Sequence, residues 1–303
     1  AQKLMKEKEL NQIKKSTNVL FNIIFIILSA LCIFPIVFVF SISISSETSI
    51  QKNGYQLIPQ ELSAAAYQFL WNERGTILHA TFISILVTAL GIILSVLLTT
   101  TMDMLFQEIL KTEKFLYLGD FIPMIFNGGM LAGYVVNTNI LHLRNSIWAL
   151  ILPLAVSPFN IVICKTFFKT TIPDSIVESA KIDGAGQLRI FAQIILPISK
   201  PIIATIALFA AFGYWNDWFQ ASLYISDKNL ADITVMLNNI QNNIEYIANN
   251  PYGGLSLQQY KASMPTESVR MAIAIIIVVP IACVYPIFPE DFISGLTIGS
   301  VKG

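Results

Sequence analysis

Val19-Leu-Phe-Asn-Ile-Ile-Phe-Ile-Ile-Leu-Ser-Ala-Leu-Cys-Ile-Phe-Pro-Ile-Val-Phe-Val-Phe-Ser-Ile42 contains no charged side chain. A helix needs about 20 mostly apolar residues to cross a bilayer core, because every backbone N–H and C=O must find its partner inside the segment there. This stretch meets that demand. Five further stretches resemble it: Ile77 to Thr99, Phe115 to Val136, Ser146 to Phe168, Pro201 to Tyr214 and Val269 to Phe288. The fifth is short unless Ile194 to Lys200 extends it through Pro197. Bulk composition agrees, with 54% hydrophobic and 13% charged residues, where soluble domains carry about 25% charged. The expectation is an all-α integral membrane protein with six transmembrane helices.

Formal charge is zero, so no overall electrostatic pull toward nucleic acid or an anionic surface can be argued. Leu28-Ser-Ala-Leu-Cys32 approaches a lipoprotein cleavage site, but Leu31 is large where a small residue is needed and the apolar run continues through Phe40. The three cysteines, Cys32, Cys164 and Cys283, lack metal-type spacing and read as buried small hydrophobes. Lys outnumbers Arg, and Asn, Ile and Lys are abundant, a composition that hints at a bacterial source.

Lys and Arg close to spans favour cytoplasmic loops. With the N-terminus inside, 13 of the 19 basic residues fall on the cytoplasmic side, and Trp71, Trp148, Trp215 and Trp218 all fall at outer ends of spans, as interfacial anchors would. The chain then divides into a basic N-terminal segment (1–18), a transmembrane domain (19–288) and a C-terminal tail (289–303), with both termini cytoplasmic. The acidic exceptions, Asp103 and Asp120, sit toward the cytoplasmic ends of the second and third spans and are too few for a proton relay. His79 and His142 lie near the outer boundary and read as wetted interfacial side chains.

Between the fourth and fifth spans lies Ile172-Pro-Asp-Ser-Ile-Val-Glu178-Ser-Ala180-Lys-Ile-Asp183-Gly184-Ala-Gly186. Pro173 suits a first helical position, Asp174 is favourable near the positive helix end, and Gly184 or Gly186 can adopt the left-handed conformation that ends a helix. Ile176, Val177 and Ala180 share one face and would present an apolar stripe to something outside the bilayer.

These residues resemble the signature of ABC transporter import permeases: Glu-Ala-Ala, three residues, Gly, nine residues, Ile, one residue, Leu-Pro. Glu178, Ala180, Gly184, Ile194, Leu196 and Pro197 match at that spacing, and Ser179 replaces the middle Ala. The resemblance extends over nearly the whole chain. Its nearest form is the branch that takes up carbohydrate, particularly complex oligosaccharides, and it rests also on Phe126-Asn127-Gly128-Gly129, Trp215-Asn216-Asp217-Trp218 and Gly295 to Gly303. Thr101 to Glu108 and Pro289-Glu-Asp291 depart from that branch, where relatives are more basic.

The resemblance implies a type I importer fold in the bacterial cytoplasmic membrane. It implies a coupling helix within 172–197 that docks on a cytoplasmic ATPase, involving Glu178, Ser179, Ala180, Ile182, Asp183, Gly184, Ile194, Leu196 and Pro197. Its implied partners are a homologous second permease, two ATPase subunits, an extracytoplasmic solute-binding protein and the carbohydrate solute. ATP and Mg would be bound by the ATPase, with no cofactor on this chain, and no Gly-x-x-x-x-Gly-Lys-Ser/Thr loop occurs in it.

Asn127, Gly128 and Gly129 could line a cavity or allow close helix packing. Tyr214, Trp215, Asn216, Asp217 and Trp218 combine flat apolar faces with amide and carboxylate groups, which suits a sugar, although anchoring at the membrane interface explains the tryptophans equally well. The polar, Asn-rich outer stretch 219–268 is too long for a simple connection and is expected either to fold against a solute-binding protein or to remain a solvated loop. Neither a nucleophile–base pair nor His-Glu-x-x-His marks an enzyme, and the competing function is a self-contained channel or secondary carrier for a small polar solute.

Overall fold

A computed structural model of the chain describes residues 15–109, 122, 124–126, 128–249 and 266–284. Residues 1–14, Asp120, Asn127, Phe288 at the end of the sixth expected span, Pro289 to Asp291 and Gly295 to Gly303 lie outside the described residues, as do 115–121 and 123 of the expected third span. The described residues are helical, joined by turns and a single antiparallel bridge between Ser45 and Leu62.

The helices are α1 (Lys15–Ser43), α2 (Glu47–Asn53), α3 (Ala65–Asn72), α4 (Arg74–Ile109), α5 (Gly129–Val135, prolonged by a π turn Val136–Ile140) and α6 (Trp148–Leu154). They continue as α7 (Pro158–Thr171), α8 (Asp174–Ile182), α9 (Gln187–Ile198), α10 (Lys200–Trp215), α11 (Phe219–Tyr224), α12 (Ile233–Asn249) and α13 (Thr266–Val284). Among the described residues, three helices are individually long and apolar enough to cross a membrane, namely α1, α4 and α13, and up to five spans result if each bent pair α6–α7 and α9–α10 counts as one.

Two differences from the sequence expectation have local causes. The fourth expected span is bent by 51° between α6 and α7. Pro153 removes a ladder donor, and Pro158 forces Ser157 into extended backbone (φ −110°, ψ 118°), from which the Ser157 hydroxyl accepts the Asn160 N–H at 3.4 Å and starts α7 afresh. The fifth is not extended through Pro197: α9 meets α10 at 81° across Ser199, leaving α10 with 16 residues. By contrast α4, at 36 residues, runs past both expected ends and is about 54 Å long, well beyond a hydrocarbon core of about 30 Å.

The chain separates into two compact units. One holds residues 1–72 and 244–276. Its α1 exposes apolar side chains all round, and none of its most apolar window is buried. Here Ser46 N–H donates to Glu61 O at 2.9 Å and Ser63 N–H to Ile44 O at 2.9 Å, closing the loop after α2. The Glu47 carboxylate then accepts from Thr266 Oγ1 (2.9 Å), Glu267 N (3.2 Å), Ser268 N (3.3 Å) and Ser268 Oγ (3.2 Å), capping the start of α13.

The other unit holds residues 73–243 and the end of α13. Its core has two clusters: Ile83, Val87, Leu150, Ile151, Ala210, Tyr214, Ala221 and Val235, and then Cys164, Phe167, Phe168, Ile202 and Ile206. The expectation of buried cysteines holds for Cys164 alone, since Cys32 and Cys283 are exposed, where lipid rather than protein would surround an apolar thiol. Similarly, Trp215 is no interfacial anchor. It is buried, and its indole N–H donates to Ile277 O at 3.2 Å, whereas Trp71, Trp148 and Trp218 stay exposed. His79 and His142 are exposed.

Candidate coupling segment and translocation path

The segment between α7 and α10 is built by its punctuation. Ile172 and Pro173 are extended, and α8 starts at Asp174, so Pro173 is the residue before the helix rather than its first. Asp174 in the first turn and Lys181 in the last complement the helix dipole. The helix stops at Gly184, whose φ of +78° places it in the left-handed region, while Gly186 has ordinary backbone. Ala185 N–H donates to Ala180 O and Gly184 N–H to Lys181 O, both at 3.0 Å, the paired bonds that close a helix end on a left-handed glycine. Gly186 then opens α9, its carbonyl accepting from Arg189 N (2.9 Å) and Ile190 N (3.0 Å). One residue, Ala185, separates the left-handed glycine that closes one helix from the cap of the next.

The result is a knuckle. Ala180 is turned inward at 9% exposure and Val177 is half-buried, so the expected apolar stripe divides: its inner edge packs on the chain and Ile176 stays outside. The prominent apolar side chains are Ile182, 86% exposed, and Leu188, 81% exposed, on the two sides of the turn. Glu178, Ser179, Asp183 and Gly184 are exposed, Ile194 and Leu196 half-buried, and Pro197 exposed. Ser179, the departure from the signature, donates its hydroxyl to Ser175 O at 2.8 Å, so no polar group is stranded. Arg189 Nε donates to Gln193 Oε1 at 3.0 Å. In α9 a π turn over Phe191–Ile195 precedes Pro197, and Ser199 N–H reaches back to Ile195 O (3.0 Å) and Leu196 O (3.1 Å) at the bend.

The residues considered for the solute path do not form one set. Helical order fails at Phe126 and Gly128 and resumes at Gly129, whose φ is +82°, with Ile125 and Phe126 more than 70% exposed. Tyr214 is buried: its hydroxyl donates to Ile151 O at 2.8 Å, and a Cβ on Gly91 would stand 2.4 Å from its ring. Gly91 is therefore the residue that lets α4 and α10 approach. The bond from Tyr214 reaches α6 where its last turn tightens at Leu152–Leu154. Asn216 and Trp218 are exposed, with Asn216 Nδ2 donating to Phe212 O at 3.0 Å. Asp217 is half-buried and its Oδ1 accepts from Gln220 N at 3.3 Å at the start of α11; burial pushes its carboxyl above the usual range.

The sequence reading missed Asp232 and Asn145. Asp232 is buried and caps α12 by accepting from Val235 N at 2.7 Å; burial, aided by the negative charge of Asp217, pushes it up to about 6. Next to it, Ile233 N–H donates to Ser84 Oγ on α4 at 2.9 Å, and Thr234 Oγ1 donates to Trp215 O at 3.4 Å. An Asp directly before an apolar run is the one sequence signal that pointed there. Asn145 joins the chain before α6 to the chain after α11, and no sequence pattern marks it.

No protein-family profile matches the chain. Curated proteins do. It is 35% identical over 275 residues to Protein LplC of Bacillus subtilis, covering 90% of each chain. It is 34% identical over 282 residues to the polygalacturonan/rhamnogalacturonan transport system permease protein YtcP of the same organism, covering 92% of this chain and 96% of that one. Among solved structures, a chain of a bacterial ABC transporter involved in import of the acidic polysaccharide alginate superposes with a TM-score of 0.74 and 23% identity, covering 91% of this chain and 97% of its own, a likeness of fold. With relatives this similar matched nearly end to end, the chain belongs to the carbohydrate permeases of ABC transporters.

Proposed function

We propose that the chain is one of two permeases that together form the path of an ATP-driven oligosaccharide importer, with 172–197 as the element through which separate ATPase subunits drive it. The observation that carries this reading is the knuckle. Ile182 and Leu188 stand almost fully exposed on either side of Gly184, on a turn fixed by paired backbone bonds. Apolar side chains held out on a rigid turn suit a cleft in a protein partner. Glu178 and Asp183, exposed beside them, supply the polar rim.

In this reading the knuckle is cytoplasmic, the chain crosses six times, and closure of the ATPase pair on ATP moves the knuckle and the helices on either side of it, opening the path to one side and then the other. Asn127, Gly128, Gly129, Asn216, Asp217 and Trp218 face the solute, while Tyr214 and Trp215 hold the wall behind them. The segment 219–268 meets a solute-binding protein. The relatives named for polygalacturonan, rhamnogalacturonan and alginate make fragments of such polysaccharides the solutes to try first.

The test is uptake of labelled polygalacturonan fragments in cells whose partner ATPase is catalytically dead, alongside Ile182→Cys cross-linking to that ATPase. Loss of uptake and a cross-link between the two chains are expected. Uptake that survives without hydrolysis would make the chain a channel or secondary carrier and overturn the reading.

A further inference from the structure

Among the described residues, the non-glycine positions with left-handed backbone are His142 (φ 52°) and Asn145 (φ 55°), both in the connection between α5 and α6. Each costs about 1–2 kcal/mol, so the pair persists only where its surroundings hold it. Asn145 is held on both its backbone and its side chain. Its N–H donates to Tyr224 O at 3.1 Å, and its Oδ1 accepts from Ser226 N at 2.6 Å and Asp227 N at 3.2 Å. With about 1 kcal/mol net for each bond, the three offset the strain.

The same place is tied twice more. Tyr224 is buried, its ring stacks on Tyr134 at 5.9 Å with 7° between planes, and its hydroxyl oxygen accepts from Asn137 Nδ2 at 3.0 Å. The chain entering α6 is thereby clasped to the chain leaving α11. One layer further in, Tyr214 of α10 bonds Ile151 of α6. These helices matter because α6–α7 leads into the knuckle and α9–α10 leads out of it. The two arms are joined at one end through residues 172–199 and at the other by the clasp.

We propose that Asn145 is a positioning residue for transport, keeping this clasp shut throughout the cycle so that motion received at the knuckle turns both arms and the segment after α11 as one body. The chemistry favours a closed clasp. Opening it would return the Ser226 and Asp227 amides to water, but would leave Asn145 in a strained backbone with nothing to offset it and would unstack a buried tyrosine.

The proposal rests on the coupling reading above, and the experiment separates the two. The contact between Asn145 Oδ1 and Ser226 N sets the two residues side by side, which makes this pair the place to try a disulfide. In host membranes carrying the complete transporter, the N145C/S226C chain is compared reduced and oxidised, with labelled polygalacturonan fragments as the probe. Asn145→Ala and the reduced double variant are expected to insert normally yet lose uptake by about tenfold, within the usual range of coupling free energies. Oxidation is expected to restore uptake to within about twofold of wild type, a rescue that a clasp required to open could not give.

Cross-link yield measured with ATP plus vanadate and without nucleotide needs no solute, and equal yields are expected. Wild-type uptake by Asn145→Ala, oxidised chains that stay inactive, or a cross-link confined to one nucleotide state would each overturn the clasp. Wild-type membranes that show no ATP-dependent uptake would instead refute the importer reading. If Asn145→Ala fails to insert, the reduced and oxidised forms of the same inserted double variant decide the matter.

Discussion

The two ends of the bent helices flanking residues 172–199 are built in opposite ways. At the knuckle, side chains that stand out belong to no neighbour: Ile182 and Leu188 are exposed, and order comes from backbone bonds around a single left-handed glycine. At the clasp, the left-handed residue is an asparagine, and it is held by bonds to a distant stretch of chain, beside a buried tyrosine. The first end is rigid but unpartnered, which suits a surface that receives another protein. The second has spent its polar groups internally, which suits a joint that must not yield.

The comparison breaks most readily at Gly184. Gly184→Glu is expected to abolish uptake while leaving the chain inserted. No atom lies within 4 Å of the added Cβ, so the loss comes from the left-handed backbone and from a charge presented to the partner, not from a clash within the chain. Gly184→Ala separates those causes, since it keeps the strain of about 1–2 kcal/mol without the charge and should retain part of the activity. Uptake by Gly184→Glu at the wild-type level would remove the knuckle from the mechanism.

Asp232 offers the next largest effect, at the clasp end. Its carboxyl titrates at about 6 in the fold against 3.8 ordinarily, because burial penalises the ionised form. The folded state therefore binds the proton more tightly than the unfolded state. The contribution of Asp232 to stability is highest below pH 4, falls as pH rises through the interval from 3.8 to about 6, and is lowest and level above it, a difference on the order of 3 kcal/mol at most. Asp232→Asn should flatten that slope while still accepting from Val235 N. Protease sensitivity of α12 followed from pH 4 to pH 8 checks both statements. A wild-type slope of the opposite sign, or an unchanged slope in the variant, would detach the titration from Asp232.

The knuckle was legible in the sequence and the clasp was not, for physical reasons. Residues 172–197 are governed by local rules: an extended residue before proline, a charge in each terminal turn, and a glycine where the chain must turn left-handed. Such rules operate within a few residues and are written in composition. Asn145 makes its bonds 79 to 82 positions away, and nothing local distinguishes it from the other asparagines of an Asn-rich chain. The bends at Ser157 and Ser199 fall between these cases. Their prolines were visible, but the apolar runs around them read as continuous spans because hydropathy counts composition and ignores lost ladder donors. Trp215 shows the same limit, since an amphipathic ring predicts an interface only when no carbonyl such as that of Ile277 lies within its reach.

Gly91 tests how closely the inner wall is fitted. Its absent Cβ is what allows the Tyr214 ring to lie against α4, so Gly91→Ala should displace the ring, weaken the Tyr214–Ile151 bond and cost about 2 kcal/mol. Tyr214→Phe keeps the ring and removes only the donor, at about 0.5–1.5 kcal/mol for the hydrogen bond lost. If both act through one contact, the double variant should lose less than the sum, as melting in detergent would report. Full additivity would mean that ring placement and hydrogen bond are independent, and that Gly91 serves some other purpose.

The smallest expected effect lies in the other unit and marks the lower bound of what a single half-buried polar group does here. Glu47 presents both carboxylate oxygens to the first residues of α13, accepting from two backbone N–H groups and two hydroxyls. Three of these bonds survive in form when Glu47→Gln retains one acceptor oxygen and offers a donor to a hydroxyl, which can reverse its role. What is lost is one backbone N–H bond and the negative charge at the positive helix end, the charge alone being about 0.5–1 kcal/mol. Glu47→Ala removes the cap altogether and should cost more, about 1–2 kcal/mol. Hydrogen exchange at the Glu267 and Ser268 amides measures both directly. Equal exchange in the glutamine and alanine variants would show that charge, not bonding, fixes the start of α13, whereas a glutamine variant indistinguishable from wild type would assign the whole effect to hydrogen bonding.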